Sequence, residues 1–175
     1  MSETAAEKKL GPIVSSAHLA DGALPALSEL EFGLILAGHA FDRWMVRCMT
    51  AAGEPGLTAT DVLVLHSCAH RERPKRLADL CSVLGIDDTH LVIYAVKKLE
   101  KRGLVKSGRA GKEKLISATP KGRDTCLTYR SVRETLLVES VKGLGLDPAA
   151  TSAVAATLRA LSGHYDQAAR AASAL

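Results

Sequence analysis

The chain has 175 residues, of which 47% are hydrophobic, 24% charged and 3% aromatic. A chain of this length buries roughly 70% of its unfolded surface without a metal or disulfide staple, its charge content excludes wholesale disorder, and no apolar run approaches the ~18 residues of a membrane span. The net charge of +4 conceals an uneven distribution: residues 1–70 hold 4 Lys/Arg against 8 Asp/Glu, residues 71–123 hold 14 against 6, and residues 124–175 hold 5 of each.

Residues 1–27, rich in Ala, Gly, Ser and Pro, read as a flexible N-terminal arm. Lys8 and Lys9 are not followed by an apolar stretch, so no signal peptide is expected. Ser28 with Glu31 has the spacing of a capping box, and Leu30, Leu34, Ala37, Phe41, Trp44 and Cys48 then form one stripe of a helix over 28–53. Gly53, Pro55 and Gly56 stop it. Thr58 with Asp61 opens a second helix, whose inner face is Val62, Leu65 and Ala69. After a polar break at Arg71–Pro74, a third helix is expected over Pro74–Val83, with Leu77, Leu80 and Leu84 inward. Gly85 turns the chain into a fourth helix, Asp88–Arg102, with Val92, Ala95, Val96 and Leu99 inward and Gly103 as its stop.

The apolar period then shifts towards two. Leu104–Ser107 and Lys114–Ala118 read as strands joined by a turn at Gly108–Gly111. Thr119-Pro120 is a cap followed by proline at the first helical position, and that helix runs to about Gly143. Asp147-Pro148 opens the last helix, to about Ala172, with the stripe Val154, Leu158, Leu161, Tyr165, Ala168 and Ala172.

Two short helices, a glycine turn and a hairpin make a winged helix-turn-helix layout over 57–119. In such a motif the second helix enters the DNA major groove. With Val92, Val96 and Leu99 inward, its opposite face carries His90, Tyr94, Lys97 and Lys101, flanked by Lys98. These side chains suit base edges and phosphates. The hairpin offers Arg109, Lys112 and Lys114 to the backbone or minor groove, and Lys75 and Arg76 on the supporting helix would meet phosphates. The fold expected is mainly α with a small β-hairpin wing, combining a winged helix-turn-helix with a helical lobe.

The stretch Leu57–Leu127 resembles the MarR family of bacterial winged-helix transcription regulators. The residues that carry the resemblance are Leu57-Thr58, Leu77-Ala78-Asp79-Leu80, Leu84-Gly85-Ile86-Asp87, the run Val96 to Val105, and Leu115 to Arg123 with its Thr119-Pro120-x-Gly122 helix start. The wing departs from that family's pattern: Ser107 to Lys112 is short and lacks its aspartate. Leu91 and Ile93 stand where small polar residues are common. The absence of a signal peptide or membrane span and the scattered cysteines lead us to expect a cytoplasmic protein, and the resemblance implies a sequence-specific regulator of duplex DNA, with repression as its mode, acting as a homodimer. Helix 28–53 and the helices of 120–175 would build the dimerisation lobe, although their stripes fit an intramolecular core equally well. It also implies a small aromatic acid as effector.

A winged-helix module that binds protein instead of DNA is the alternative, and the basic middle third argues against it. His66 and His70 lie one helical turn apart, but Cys68 between them points away, so satisfied helical histidines fit better than a metal site. Cys48, Cys68, Cys81 and Cys126 are scattered singly, and Cys48 reads as a small buried hydrophobe rather than an oxidant sensor. Nucleotide-, zinc-protease- and serine-hydrolase-type motifs are absent, so no catalytic residues, cofactor, metal or membrane partner are expected.

Overall fold

The computed structural model describes residues 11–111, 113–145 and 147–175. One compact unit ends at Tyr129, and Arg130–Leu175 form a second.

The first unit opens with a one-turn helix, α1 (Ala17–Ala20), and the long α2 (Pro25–Ala51). Proline at the first helical position sets the start of α2. Ser28 is therefore not a cap: it lies inside α2, and its hydroxyl donates to the Leu19 carbonyl at 2.7 Å, tying α1 to the long helix. The stretch that reads as an arm thus contains α1 and the first residues of α2.

α3 (Ala59–Ala69) begins with the expected capping box. The Asp61 N–H donates to the Thr58 hydroxyl, and the Asp61 carboxylate accepts from the Thr58 N–H at 2.7 Å. A 3-10 turn (His70–Glu72) follows, with Arg71 and Glu72 both at positive φ. Then comes a strand that the local pattern does not predict: β1 (Lys75–Arg76) pairs antiparallel with the later strand β3 (Glu113–Ala118), Lys75 opposite Ile116 and Arg76 opposite Leu115. The helix expected from Pro74 accordingly begins only at Leu77, as α4 (Leu77–Leu84). A glycine C-cap, Gly85 at φ +61°, leads into α5 (Thr89–Lys101), capped by Asp88.

The wing is longer than expected. β2 (Val105–Ala110) and β3 (Glu113–Ala118) pair from Val105–Ala118 to Ala110–Glu113, so Gly108 lies within a strand opposite Leu115. The sheet order is β1-β3-β2. α6 (Pro120–Arg133) leads into a π-helical stretch (Glu134–Val138) and the short α7 (Glu139–Lys142), where the sequence suggests one regular helix. α8 (Pro148–Ala172) closes the chain, with the Asp147 carboxylate accepting from the Ala150 N–H at 2.8 Å.

The core lies in the first unit. Met45, Cys48 and Met49 of α2 and Val62, Val64, Leu65 and Cys68 of α3 are buried, together with Leu80, the inner face of α5, and Leu104, Val105, Ile116 and Ala118 of the wing root. Each fully buried aliphatic side chain is worth about 1.5–3 kcal/mol. No residue of α8 is buried among those described.

Two devices fix the wing and α5 against the rest of the unit. One is a close backbone approach. The Thr119 N–H donates to the Leu104 carbonyl at 3.0 Å, the Thr119 hydroxyl donates to the Gly103 carbonyl at 2.6 Å, and the Gly122 N–H donates to that hydroxyl at 3.0 Å. A Cβ at residue 122 would stand 2.0 Å from the Leu104 carbonyl oxygen, so this helix start requires glycine. The other is the Glu54 carboxylate, which accepts from Lys121 Nζ at 2.7 Å and from Arg102 Nη1 at 3.2 Å. Burial pushes the Glu54 carboxyl up, but the hydrogen bonds from Lys121 and Arg102 outweigh that effect and hold it below its ordinary value of 4.5.

Replacing Gly122 by alanine is expected to cost about 1–3 kcal/mol or more, because backbone rather than a flexible side chain must give way. Urea unfolding measures this, and an unchanged midpoint would contradict the close approach. Because the folded Glu54 carboxyl lies below its unfolded value, its stabilisation is complete above pH 4.5 and is lost as pH falls through the folded value. Glu54→Gln should therefore be less stable at pH 7 by about 1.5–3 kcal/mol. Its stability should also decline less than the wild type's on acidification below pH 4.5, as followed by denaturant titrations across that range.

Candidate nucleic-acid interface

α5 is the helix whose outward face the sequence assigns to DNA. Its inner face, Val92, Ala95, Val96 and Leu99, is buried as expected. On the opposite side His90, Tyr94, Lys97 and Lys101 are all exposed, Tyr94 to 67%. Among the described residues neither Lys97 nor Lys101 has an ion-pair partner. Their charges stand in solvent, Lys97 about one helical turn and Lys101 about two turns beyond the tyrosine ring.

Lys98 is placed differently. Its ammonium meets the buried Asp61 carboxylate at 2.7 Å. A buried carboxylate left alone costs several kcal/mol, so Lys98 serves first to neutralise Asp61. Arg102, one turn further on, is held by Glu54 in the same way. The sequence gives no means of separating these two cations from Lys97 and Lys101, because the acids that claim them lie 37 and 48 residues away.

The wing adds a second basic element. Residues alternate across a strand, so Arg109 and Lys114 share the hairpin face of Val105, Ile116 and Ala118, and they stand directly opposite each other in the register. The Lys114 ammonium lies 3.9 Å from Glu100 of α5, which shows that this face turns towards that helix. Glu100 also accepts a hydrogen bond from the Ser107 hydroxyl. Like charges directly opposite across a hairpin are unfavourable by themselves and become favourable against an anion. Lys112 lies outside the described residues.

Lys75 and Arg76 belong to β1 instead of a supporting helix. Lys75 is half-buried and donates to the His70 carbonyl at 3.3 Å. Arg76 is exposed, with its guanidinium on Asp79 at 3.0 Å and on Glu113 at 3.5 Å. Both are more engaged in fastening β1 than the sequence suggests. Exposed cations that sequence reasoning omitted include Arg71, Arg73 and Lys106. The one available signal was the strand alternation that turns Lys106 away from Val105.

The histidines and cysteines are dispersed. His66 is half-buried and edge-on against Tyr129, with ring centroids 4.6 Å apart, and desolvation holds its imidazole below the usual value of 6.5, so it is neutral at pH 7. His70 is exposed at the end of α3. Burial pushes the Cys68 thiol up to about 12, against an opposing pull from Lys75, and the Cys126 thiol up to about 11. Both are thiols, not nucleophilic thiolates, at neutral pH. Cys48 is buried, and its Sγ donates to the Tyr129 carbonyl at 3.5 Å. Among the described residues no three His, Cys, Asp or Glu side chains are grouped to hold a metal, and no helix is long and apolar enough to cross a membrane.

Comparison with known proteins agrees with this geometry. Residues 57–122 match the family described as winged helix DNA-binding domain. No curated protein is significantly similar to the chain in sequence. Among solved structures, a MarR-family transcriptional regulator from Rhodococcus sp. RHA1 is similar, with a TM-score of 0.63 at 18% identity over 81% of this chain and 95% of that one. CouR from Rhodococcus jostii RHA1, solved with p-coumaroyl-CoA, gives a TM-score of 0.64 at 20% identity over 83% and 95%. MarR from Staphylococcus aureus, solved with salicylate and kanamycin, gives 0.65 at 12% identity over 85% and 97%. The chain carries a winged helix DNA-binding domain at residues 57–122, on the fold of the MarR-type regulators that its sequence resembles.

Proposed function

We propose that the protein is a MarR-type transcription regulator that binds duplex DNA sequence-specifically as a homodimer, with α5 in the major groove and the wing on the adjacent backbone or minor groove. One observation carries the reading. The exposed residues of α5 (His90, Tyr94, Lys97, Lys101) and the like-charged wing pair Arg109 and Lys114, the latter 3.9 Å from Glu100 of the same helix, all fall inside the matched domain. Among the described residues Lys97, Lys101 and Arg109 have no ion-pair partner, so this surface keeps positive charge for an anionic partner to neutralise. In this role Tyr94 and Lys97 contact base edges, while Arg109, Lys112 and Lys114 contact phosphates.

The homodimer is supported by apolar surface that the chain itself leaves open. Ile35, Leu36 and Phe41 are exposed along α2, and Val154 and Tyr165 along α8. In a dimer the two copies of α5 enter successive major grooves about 34–36 Å apart. Repression, the mode that the family resemblance implies, would come from such a dimer blocking a promoter. For an effector, the salicylate of one similar structure suggests an aromatic acid. A recess of about 280 Å³ at the root of the wing, lined by Glu72, Lys106, Ser117 and Arg123 among others, offers two cations to a carboxylate.

The test is duplex selection from a random library, followed by titrations of the selected and of random DNA at several salt concentrations. Tyr94→Ala and Lys97→Ala should lower the preference for the selected site about fivefold or more, corresponding to ~1–3 kcal/mol per base contact. Arg109→Ala should weaken both DNAs alike and reduce the log–log salt slope by about one. Equal losses on both DNAs for Tyr94→Ala would remove it from base reading. Failure of the wild-type chain to bind any duplex at low salt would favour a winged helix that docks on protein.

A further inference from the structure

The first turn of α5 differs chemically from the rest of its outward face. Lys97 and Lys101 stand two and three turns further along. At the start of the helix the exposed residues are Thr89, His90 and Leu91. The positive end of the helix dipole is already answered, because the Asp88 carboxylate accepts from the His90 N–H at 2.9 Å. Asp87, also exposed, stands beside it. Two carboxylates at this end repel phosphate, so the helix N-terminus is not a backbone anchor. It presents instead a leucine with 50% of its surface in solvent, one turn before the exposed Tyr94 ring. Residues three apart on a helix are neighbours, so Leu91 and Tyr94 form a small apolar patch flanked by His90 and the lysines.

Duplex DNA has one feature that suits such a patch. In the major groove every base pair presents polar edges, and only thymine adds an apolar group, its C5 methyl. The N-terminal residues of a recognition helix are the ones that reach base edges. The cations further along α5 and on the wing supply the charge complementarity that commits the surface to DNA. We propose that Leu91 is a specificity-determining residue that packs against a thymine methyl, so that each half-site contains a thymine recognised by its methyl group. This rests on the DNA-binding reading above and adds to it a contact that no hydrogen-bonding argument selects.

The test uses the full chain and an operator selected from random duplex. Each thymine of the operator is replaced in turn by deoxyuridine, which pairs identically and lacks only the methyl. Binding is followed by fluorescence anisotropy. One thymine per half-site should show a loss of roughly fourfold on replacement, the weight of one buried methyl-sized group. Leu91→Ala should bind the thymine and uracil forms of that position equally. Its folding is checked independently by thermal melting, which an exposed position should barely shift. The proposal is overturned if the wild type tolerates every replacement, or if Leu91→Ala keeps the methyl preference. Absence of any duplex binding at low salt overturns the DNA-binding reading and this proposal together, whereas operator binding without a methyl effect overturns this proposal alone.

Discussion

Two buried acids, Asp61 and Glu54, determine how α5 is presented. A carboxylate in the interior needs a cation, and each of these takes one from α5 or its C-cap: Asp61 takes Lys98 and Glu54 takes Arg102. With about 100° of rotation per residue, fixing Lys98 and Arg102 on the inner flank fixes the rotation of α5 about its own axis. Lys97 and Lys101 are then directed outward. The apolar contacts of Val92, Val96 and Leu99 set the depth of the helix, but apolar packing alone tolerates small rotations that directional charge-assisted hydrogen bonds do not. Asp61 also serves in the capping box of α3, so one carboxylate organises the start of the supporting helix and the position of the exposed one.

The second acid extends the coupling. Glu54 lies in the turn after α2 and holds Arg102 at the end of α5 and Lys121 at the start of α6. Beside it, the Gly103–Leu104 backbone and the Thr119–Gly122 helix start are joined by hydrogen bonds at van der Waals limits. The wing emerges between these two points, with β2 leaving Leu104 and β3 returning to Thr119. Its root therefore has little freedom to move independently of α5 or α6. Gly122 and Thr119 answer for rigidity here, and the cations of the wing benefit from it without contributing to it.

How much of this the sequence disclosed depended on the range of each interaction. Thr58 and Asp61 are three residues apart, and their capping box was legible. The inner face of α5 and its start at Asp88 were likewise local. Ser28 and Glu31 have the same spacing, yet Pro25 starts the helix earlier and α1 claims the Ser28 hydroxyl, so an identical motif failed through its neighbours. β1 was invisible because a two-residue strand has no period, and its partner β3 lies some forty residues away. The wing turn was misplaced because Gly108 reads as a breaker, whereas cross-strand pairing with Leu115 keeps it in the ladder. At the candidate site, face assignment by helical angle found Tyr94, Lys97 and Lys101. It also enrolled Lys98, because an angle does not reveal which cation a distant buried acid has claimed.

The same distinction changes what the basic middle third means. Residues 71–123 carry 14 Lys/Arg against 6 Asp/Glu, but Arg76, Lys98, Arg102 and Lys121 are each held within 3.5 Å of an acid. A cation already neutralised by a fixed carboxylate adds little to the field felt by a phosphate and releases few counterions when DNA binds. The charge excess of the segment therefore overstates the electrostatic share of the proposed binding, since the salt dependence scales with the phosphates actually neutralised. A protein that commits so many cations to its own architecture leaves correspondingly more of its discrimination to short-range contacts. The exposed ring and aliphatic side chain at the front of α5 are placed where such contacts are made.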